Sequence, residues 1–283
     1  MKYGCGVVLY FPTSTQISDV IRKKNLFDLL LVFDNTPYNS TKEAKEVEGK
    51  FLNAGIVYIG NGKNRGLSIA YNIMCKIAIE REYDYLLILD QDSLFSEIDI
   101  KSMFTFIDEF KHSERVGMFV PTIQYQHDNN ISEKKEGYEQ VEWAISSGSF
   151  LNLNVYKMTE GFDEFLFIDR VDYDYCKLLE KMNYSIIKVN YVFLKQELGE
   201  TKYVFGRKIS EHSAIRIYYM SRNRWYISYK HNIFPKKIML PLLGTIKQFF
   251  MIVIYQKNKF EKIRCLNKGF KDFLFYKKGS DKL

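Results

Sequence analysis

Short apolar runs without polar interruption alternate, along the N-terminal third of the chain, with stretches whose apolar residues recur every three or four positions. Residues 4–10, 29–33, 56–59 and 86–89 read as strands, and the unalternated run at 86–89 as one buried on both faces of a parallel sheet. Between them, residues 13–25, 41–53 and 66–81 carry helical spacing; in the last, Leu67, Ala70, Ile73, Met74, Ile77 and Ala78 share a face. A Ser or Thr is at hand to cap the first of these helices. The alternation predicts an α/β fold: a doubly wound, mostly parallel sheet with right-handed crossovers.

Each expected strand ends in a polar cluster: Tyr10-Phe11-Pro12, Asp34-Asn35-Thr36, the segment from Gly60 to Gly66, and Asp90-Gln91-Asp92-Ser93. Ligands of open α/β sheets bind beyond the carboxyl ends of the strands. Asp90 and Asp92 at such an exit suit a divalent cation, because Mg²⁺ is commonly held by one or two carboxylates and a substrate's phosphates. A solvated Asx turn would use the same residues. Asp34 could accept from a base or ribose, or cap a turn. Asn64-Arg65-Gly66 precedes a helix, where glycine allows close backbone approach and the helix N-terminus favours an anion. The chain has neither a GxGxxG fingerprint nor a P-loop lysine, which argues against a dinucleotide fold. A second acidic set, Asp169, Asp172 and Asp174, falls at the start of a further helical pattern, where the helix dipole alone would favour negative charge.

Composition narrows the field. With 283 residues and 46% hydrophobic content the chain can bury a full core. Its four cysteines are far apart in no metal-ligand spacing, as expected of reduced thiols in a cytosolic setting, and the apolar run near the first residues is shorter than an export signal is expected to have. The net charge of +7 is concentrated at the end: residues 236–283 carry 12 Lys plus Arg against 3 Asp plus Glu, and the remainder sums to −2. A nucleic-acid-binding core would carry its basic residues in the main domain. A basic tail instead suits an anionic membrane surface.

Taken in order, these motifs resemble the inverting glycosyltransferases of family 2, and the DQDS form of residues 90–93 resembles their bacterial rhamnosyltransferase branch. Ile145-Ser146-Ser147-Gly148-Ser149, Gly161-Phe162-Asp163-Glu164, Phe167 to Asp172 and Arg216 to Asn223 extend the resemblance over roughly residues 3–230. It implies a GT-A fold on a nucleoside diphosphate sugar: Asp34 on the base, Asp90 on the ribose or sugar, and Asp92 on the Mg²⁺ or Mn²⁺ that bridges the diphosphate. Tyr10, Asn64, Gln91 and Ser147 would line the donor. Asp172 would be the catalytic base, with Val171 where the family usually has Glu, and Asp169 is a second candidate. Where the family often has a metal-binding His, this chain has Gln196, followed by Glu197-Leu198-Gly199; Arg216 and His212 could approach the diphosphate. Trp143 borders the same region as a core residue or a sugar platform.

The implied donor is dTDP-β-L-rhamnose, with UDP-galactofuranose or a UDP-hexose as alternatives, and the acceptor a hydroxyl of a polyprenyl-diphosphate-linked glycan in cell-surface polysaccharide synthesis. Two other classes use similar residues: a phosphohydrolase of the haloacid dehalogenase type and a non-catalytic sugar-nucleotide binder. Residues 1–230 are expected as the catalytic domain and 231–283 as a basic, amphipathic helical region. Within it, residues 238–255 are apolar, but Lys247 disfavours a span and Pro241 with Gly244 is expected to interrupt the helix. Aromatic residues such as Phe260, Phe270, Phe273 and Phe275 would turn toward lipid, placing the protein in the cytoplasm on the inner face of the cell membrane.

Overall fold

The computed structural model describes residues 1–38, 40–125, 136–196, 201–204 and 207–280. It divides into two compact units, Met1–Phe165 with Val171–Glu197, and Leu166–Arg170 with Leu198–Leu283.

The first unit opens as its apolar pattern predicts: β1 (Tyr3–Leu9), α1 (Ser14–Arg22), β2 (Leu29–Asp34), α2 (Thr41–Asn53), β3 (Val57–Gly60), α3 (Leu67–Glu80) and β4 (Tyr85–Asp90). Thr13 caps α1 in a reciprocal pair with Gln16, and a tight turn at Lys23–Asn25 takes up the rest of the expected helix. The four strands are parallel in the spatial order β3-β2-β1-β4; β1, β2 and β4 are buried on both faces, whereas β3, at the sheet edge, is only partly covered. Their register aligns the strand ends. Leu9 lies opposite Asp34, Val8 opposite Asp90 and Asp34 opposite Gly60, so the exits form one row along the sheet edge.

Beyond β4 come β5 (Leu94–Phe95), α4 (Glu97–Glu109), β6 (Val116–Tyr125), β7 (Tyr138–Val141), β8 (Phe150–Asn152), α5 (Leu153–Tyr156), α6 (Val171–Lys181) and β9 (Ser185–Gln196). The sheet continues β4-β8-β6-β9-β5, with β7 on β9, and becomes mixed: β8 is antiparallel to both β4 and β6. The parallel expectation holds for β1 to β4. Three residues, as in β8, carry too little pattern to declare a direction. Much of the chain's aromatic content is core: Phe104 stacks on Tyr3 and meets the edge of Phe150.

The second unit holds a hairpin, β10 (Thr201–Val204) with β11 (Arg207–Ser210), and three helices, α7 (Ala214–His231), α8 (Lys236–Tyr255) and α9 (Lys259–Ser280). The boundary expected at residue 230 therefore falls elsewhere, because α7 packs with α8 and α9. The backbones of α7 and α9 approach so closely at Gly269 that a Cβ there would lie 2.4 Å from Tyr218 O. Tyr218 Oη donates to Asp272 at 2.8 Å and Ser221 Oγ to Leu266 O at 2.8 Å, tying the same two helices.

Two expectations about this region need correction. The helix α8 runs through Pro241 and Gly244 without a break. Proline at 241 has no N–H for the Lys237 carbonyl, and Ser228 Oγ of α7 supplies the missing donor at 3.1 Å. The aromatic residues of α9 also divide: Phe273 stacks on Trp225 and Phe270 packs on it at a tilt inside the unit, whereas Phe260 and Phe275 are exposed.

Candidate active site

The row of strand exits is cross-linked by side chains. Gln91 spans from β4 to β1 with both ends of its amide, accepting from Tyr10 N at 2.8 Å and donating to Tyr10 O at 3.0 Å. Thr36 Oγ1 accepts from Phe11 N at 2.8 Å, joining the exits of β1 and β2. Asn35, buried, accepts from Arg65 N at 2.8 Å and donates to Gly66 O at 3.2 Å, which fixes the loop before α3. Gly66 is the N-cap of α3 at φ 83°, and Asn64 Oδ1 accepts from its N–H at 2.9 Å. Asn64 is thus an exposed turn former, and the ring of Tyr10 is half-exposed beside Phe11.

Asp34 is 1% exposed and hydrogen-bonded on both oxygens. Thr36 N donates to Oδ1 at 2.8 Å, and Tyr38 and Tyr58 donate to Oδ2 at 2.6 and 2.9 Å. Burial first, and the adjacent carboxylate next, hold both phenols well above their ordinary pKa, so they stay donors. Residue types alone mark Asp34 but not its two tyrosines.

The acidic group gathers three carboxylates of the first unit. Asp90 and Asp92 leave β4; Asp172 lies in the first turn of α6. Loss of water, then the charge of Asp92, then that of Asp172 push Asp90 up to about 7. Tyr71 of α3, fully buried, feels the charges of both Asp90 and Asp172, and nothing in its sequence context singles it out. Behind them, Ser147 Oγ accepts from Asp90 N at 3.0 Å and lies 2.6 Å from Ser93 Oγ. Gly148 follows at φ 86°, where a Cβ would lie 2.9 Å from both Leu194 and Pro121, and its N–H donates to Ile88 O at 2.7 Å. Gln196 ends β9, opposite Tyr125 of β6 and next to Lys195, which pairs with Leu94. Glu197, Leu198 and Gly199 lie outside the described residues. Trp143 is 56% exposed, so the core reading does not hold for it.

Among the described residues no group of three or more His, Cys, Asp and Glu side chains is arranged to hold a metal ion by itself. The donor set still fits a hard cation that a substrate's phosphates complete. Asp92 is exposed at the strand exit, and mutual repulsion of the carboxylates is a field such a cation would relieve.

Residues 16–162 match the model of the family described as Glycosyl transferase family 2. The chain belongs to glycosyltransferase family 2. This family 2 enzyme is 24% identical, over 90% of its length and 89% of the relative's, to the dTDP-rhamnosyl transferase RfbF of Shigella flexneri. Among solved structures it resembles S. aureus TarS 1-349 in complex with UDP-GlcNAc, with TM-score 0.56 and 16% identity over 95% of this chain and 80% of that one. It also resembles GalNAc-T7 with UDP, GalNAc and Mn²⁺, with TM-score 0.56 and 10% identity, covering 81% of this chain and about half, 50%, of that one. These likenesses establish the GT-A fold.

The remaining expected site residues of this glycosyltransferase, Asp169 and Arg216, belong to the second unit. Asp169 and Arg170 both adopt positive φ, 64°, and Asn223 Nδ2 holds the turn by donating to Ile168 O at 2.7 Å and Asp169 O at 2.9 Å. Arg216 pairs with Asp169 Oδ1 at 3.5 Å, while Asp169 Oδ2 is buried with no hydrogen-bond partner. Burial outweighs the nearby Arg216 and His212 and raises the Asp169 pKa.

Proposed function

We propose that this enzyme transfers L-rhamnose from dTDP-β-L-rhamnose, with inversion, to a hydroxyl of a polyprenyl-diphosphate-linked glycan. The donor assignment is supported by the likeness to RfbF along nearly the whole of both chains. The chemistry is supported by one observation above all: Asp90 senses the charges of both Asp92 and Asp172, so the strand exit and the first turn of α6 border one electrostatic site.

In this reading Asp92, with Gln196 as a further oxygen donor, holds Mg²⁺ or Mn²⁺. The cation supplies charge stabilisation for the departing diphosphate. Asp172 accepts the proton of the acceptor hydroxyl as that oxygen bonds to the anomeric carbon and the bond from that carbon to the diphosphate oxygen breaks. A single displacement inverts the centre. Asp34, locked by Tyr38 and Tyr58, presents a rigid wall to the base, and Tyr10 offers an exposed ring over the same exit. Asp90 meets the ribose or sugar, Ser147 and Gln91 fix its loop, and Asn64 shapes the turn before α3.

A thermal-shift panel of dTDP, UDP and GDP, each with and without Mg²⁺, tests the donor, since a ligand that binds only the folded state raises Tm. Selective stabilisation by dTDP with metal is expected; selective stabilisation by UDP moves the donor to a UDP-sugar. For the chemistry, Asp172→Asn should keep the dTDP shift and lose transfer. Full transfer by that variant removes Asp172 as base.

A further inference from the structure

The helix α8 is packed inside out. Its face toward the rest of the second unit carries Pro241, Thr245, Gln248 and Ile252, spaced for one stripe. Arg224 donates to Gln248 Oε1 at 2.6 Å and to Thr245 Oγ1 at 3.3 Å, and Trp225 Nε1 donates to Thr245 Oγ1 at 3.2 Å. The opposite arc carries ten exposed large apolar side chains, among them Leu242, Leu243, Ile246, Phe249, Phe250 and Ile254. Ile233 and Phe234, just before the helix, are 81% and 77% exposed. A surface helix in water has the reverse arrangement, and a contiguous apolar surface of this kind marks an interaction site.

Charge selects the occupant. From residue 212 to residue 260 the chain contains no Asp or Glu and nine Lys or Arg. Lys236 and Lys247 stand exposed along one margin of the apolar arc, and Lys257 and Lys259 follow its C-terminal end. Two copies meeting through this face would bring two uniformly basic segments together. An anionic lipid surface offers acyl chains to the arc and opposite charge to its margin. The helix is long and apolar enough to cross a membrane. A crossing would put Lys247 mid-span and either strip Thr245 and Gln248 from Arg224 or draw Arg224 into the hydrocarbon, which makes lying in the plane the better solution.

We propose that α8 is an in-plane membrane anchor: its arc from Leu242 to Ile254 enters the acyl layer of anionic lipid while Lys236 and Lys247 meet the headgroups. The inference rests on the chemistry of α8 and is independent of the donor sugar.

Cosedimentation of the full-length protein with vesicles of phosphatidylcholine, alone or mixed with phosphatidylglycerol, tests it. Binding to the anionic vesicles is expected, weakened by salt and released by alkaline carbonate. The variant L243E/F250E, altered only at exposed positions, should lose binding with an unchanged circular dichroism spectrum and Tm. Lys236→Gln and Lys247→Gln should each weaken binding to anionic vesicles by about fivefold, and leave neutral vesicles unaffected. Absence of wild-type binding, or undiminished binding by L243E/F250E, overturns the proposal. So does carbonate resistance, which means a span, and so does a concentration-dependent dimer that forms in place of vesicle binding, which means a second copy.

Discussion

Ser147 is the side chain whose loss should loosen the acidic exit of β4 without touching a carboxylate. The residue is 3% exposed, and its hydroxyl accepts from Asp90 N at 3.0 Å and pairs with Ser93 Oγ at 2.6 Å. Ser147→Ala deletes both interactions. A buried amide left without its acceptor costs about 1–3 kcal/mol, and a lost neutral hydroxyl pair about 1 kcal/mol more, so the unfolding free energy should fall by about 2–4 kcal/mol. The backbone bonds around it survive: Ile88 N still donates to Ser149 O at 2.9 Å and Gly148 N to Ile88 O at 2.7 Å. The fold should therefore persist, with an unchanged denaturant slope and a lower midpoint in urea.

Ser93→Ala separates the two contributions. It removes the hydroxyl pair but leaves Ser147 as acceptor for Asp90 N, so it should cost only about 1 kcal/mol. In a transfer assay Ser147→Ala should also lower kcat/KM by about tenfold, the consequence of a carboxylate pair no longer held in one geometry. The reasoning is refuted if Ser147→Ala unfolds within about 0.5 kcal/mol of the wild type, or if Ser93→Ala costs as much as Ser147→Ala.

Tyr58→Phe takes one of three donors from the buried carboxylate of Asp34 and should cost about 1.5–3 kcal/mol in urea unfolding; a loss below about 0.5 kcal/mol would show that Tyr38 and Thr36 N suffice. Gly269→Ala should destabilise by at least about 1–3 kcal/mol, because its Cβ would meet the backbone of α7, at 2.4 Å from Tyr218 O and 2.9 Å from Arg222 N. Gly244→Ala meets only the side chain of Arg224, at 2.8 Å, and gains helix propensity, so it should stay within about 1 kcal/mol of the wild type; equal melting shifts for the two would contradict the close approach. His212 is held below its ordinary 6.5 by burial and then Arg216, with Lys262 adding and Asp169 opposing. The unfolded chain therefore binds the proton first. The stability tied to its neutral form is present in full above about 6.5 and is lost as pH falls through the folded value, so His212→Gln should flatten the acid side of a Tm-against-pH curve.

Local pattern made the N-terminal half readable. The helix expected over 41–53 is α2 residue for residue, and β1 to β4 follow their apolar runs to within one or two positions, because each of these elements is decided by its own side chains. The acidic residues at the exit of β4 were readable for the same reason. What pairs with them was not. Gln91 reaches Tyr10, Tyr58 reaches Asp34 and Ser147 reaches Asp90 only through strand registers or a return of the chain tens of residues away. Pro241 misled because the donor that rescues the helix, Ser228, sits on another helix. Trp143 misled because a large apolar surface favours burial only where the fold provides a cover.

The position of the site follows from the order of the strands. The chain builds β1, β2 and β3 outward in one direction and then places β4 on the other side of β1, so the connections leave the sheet in opposite senses at the β1–β4 boundary. Helices leaving in opposite senses cannot cover the carboxyl ends there, and a crevice remains at that point. Gln91 spans the boundary with both atoms of its amide, and Asp90 lies on its β4 side. On its other side β4 meets the antiparallel β8, where segment 147–149 continues the pairing until Ser147 accepts from Asp90 N. Asp90 therefore stands on a strand end tied to both of its neighbours. A rigid mount of this kind holds Asp90 against the repulsion of Asp92 and Asp172, which a loose loop would relieve by moving apart.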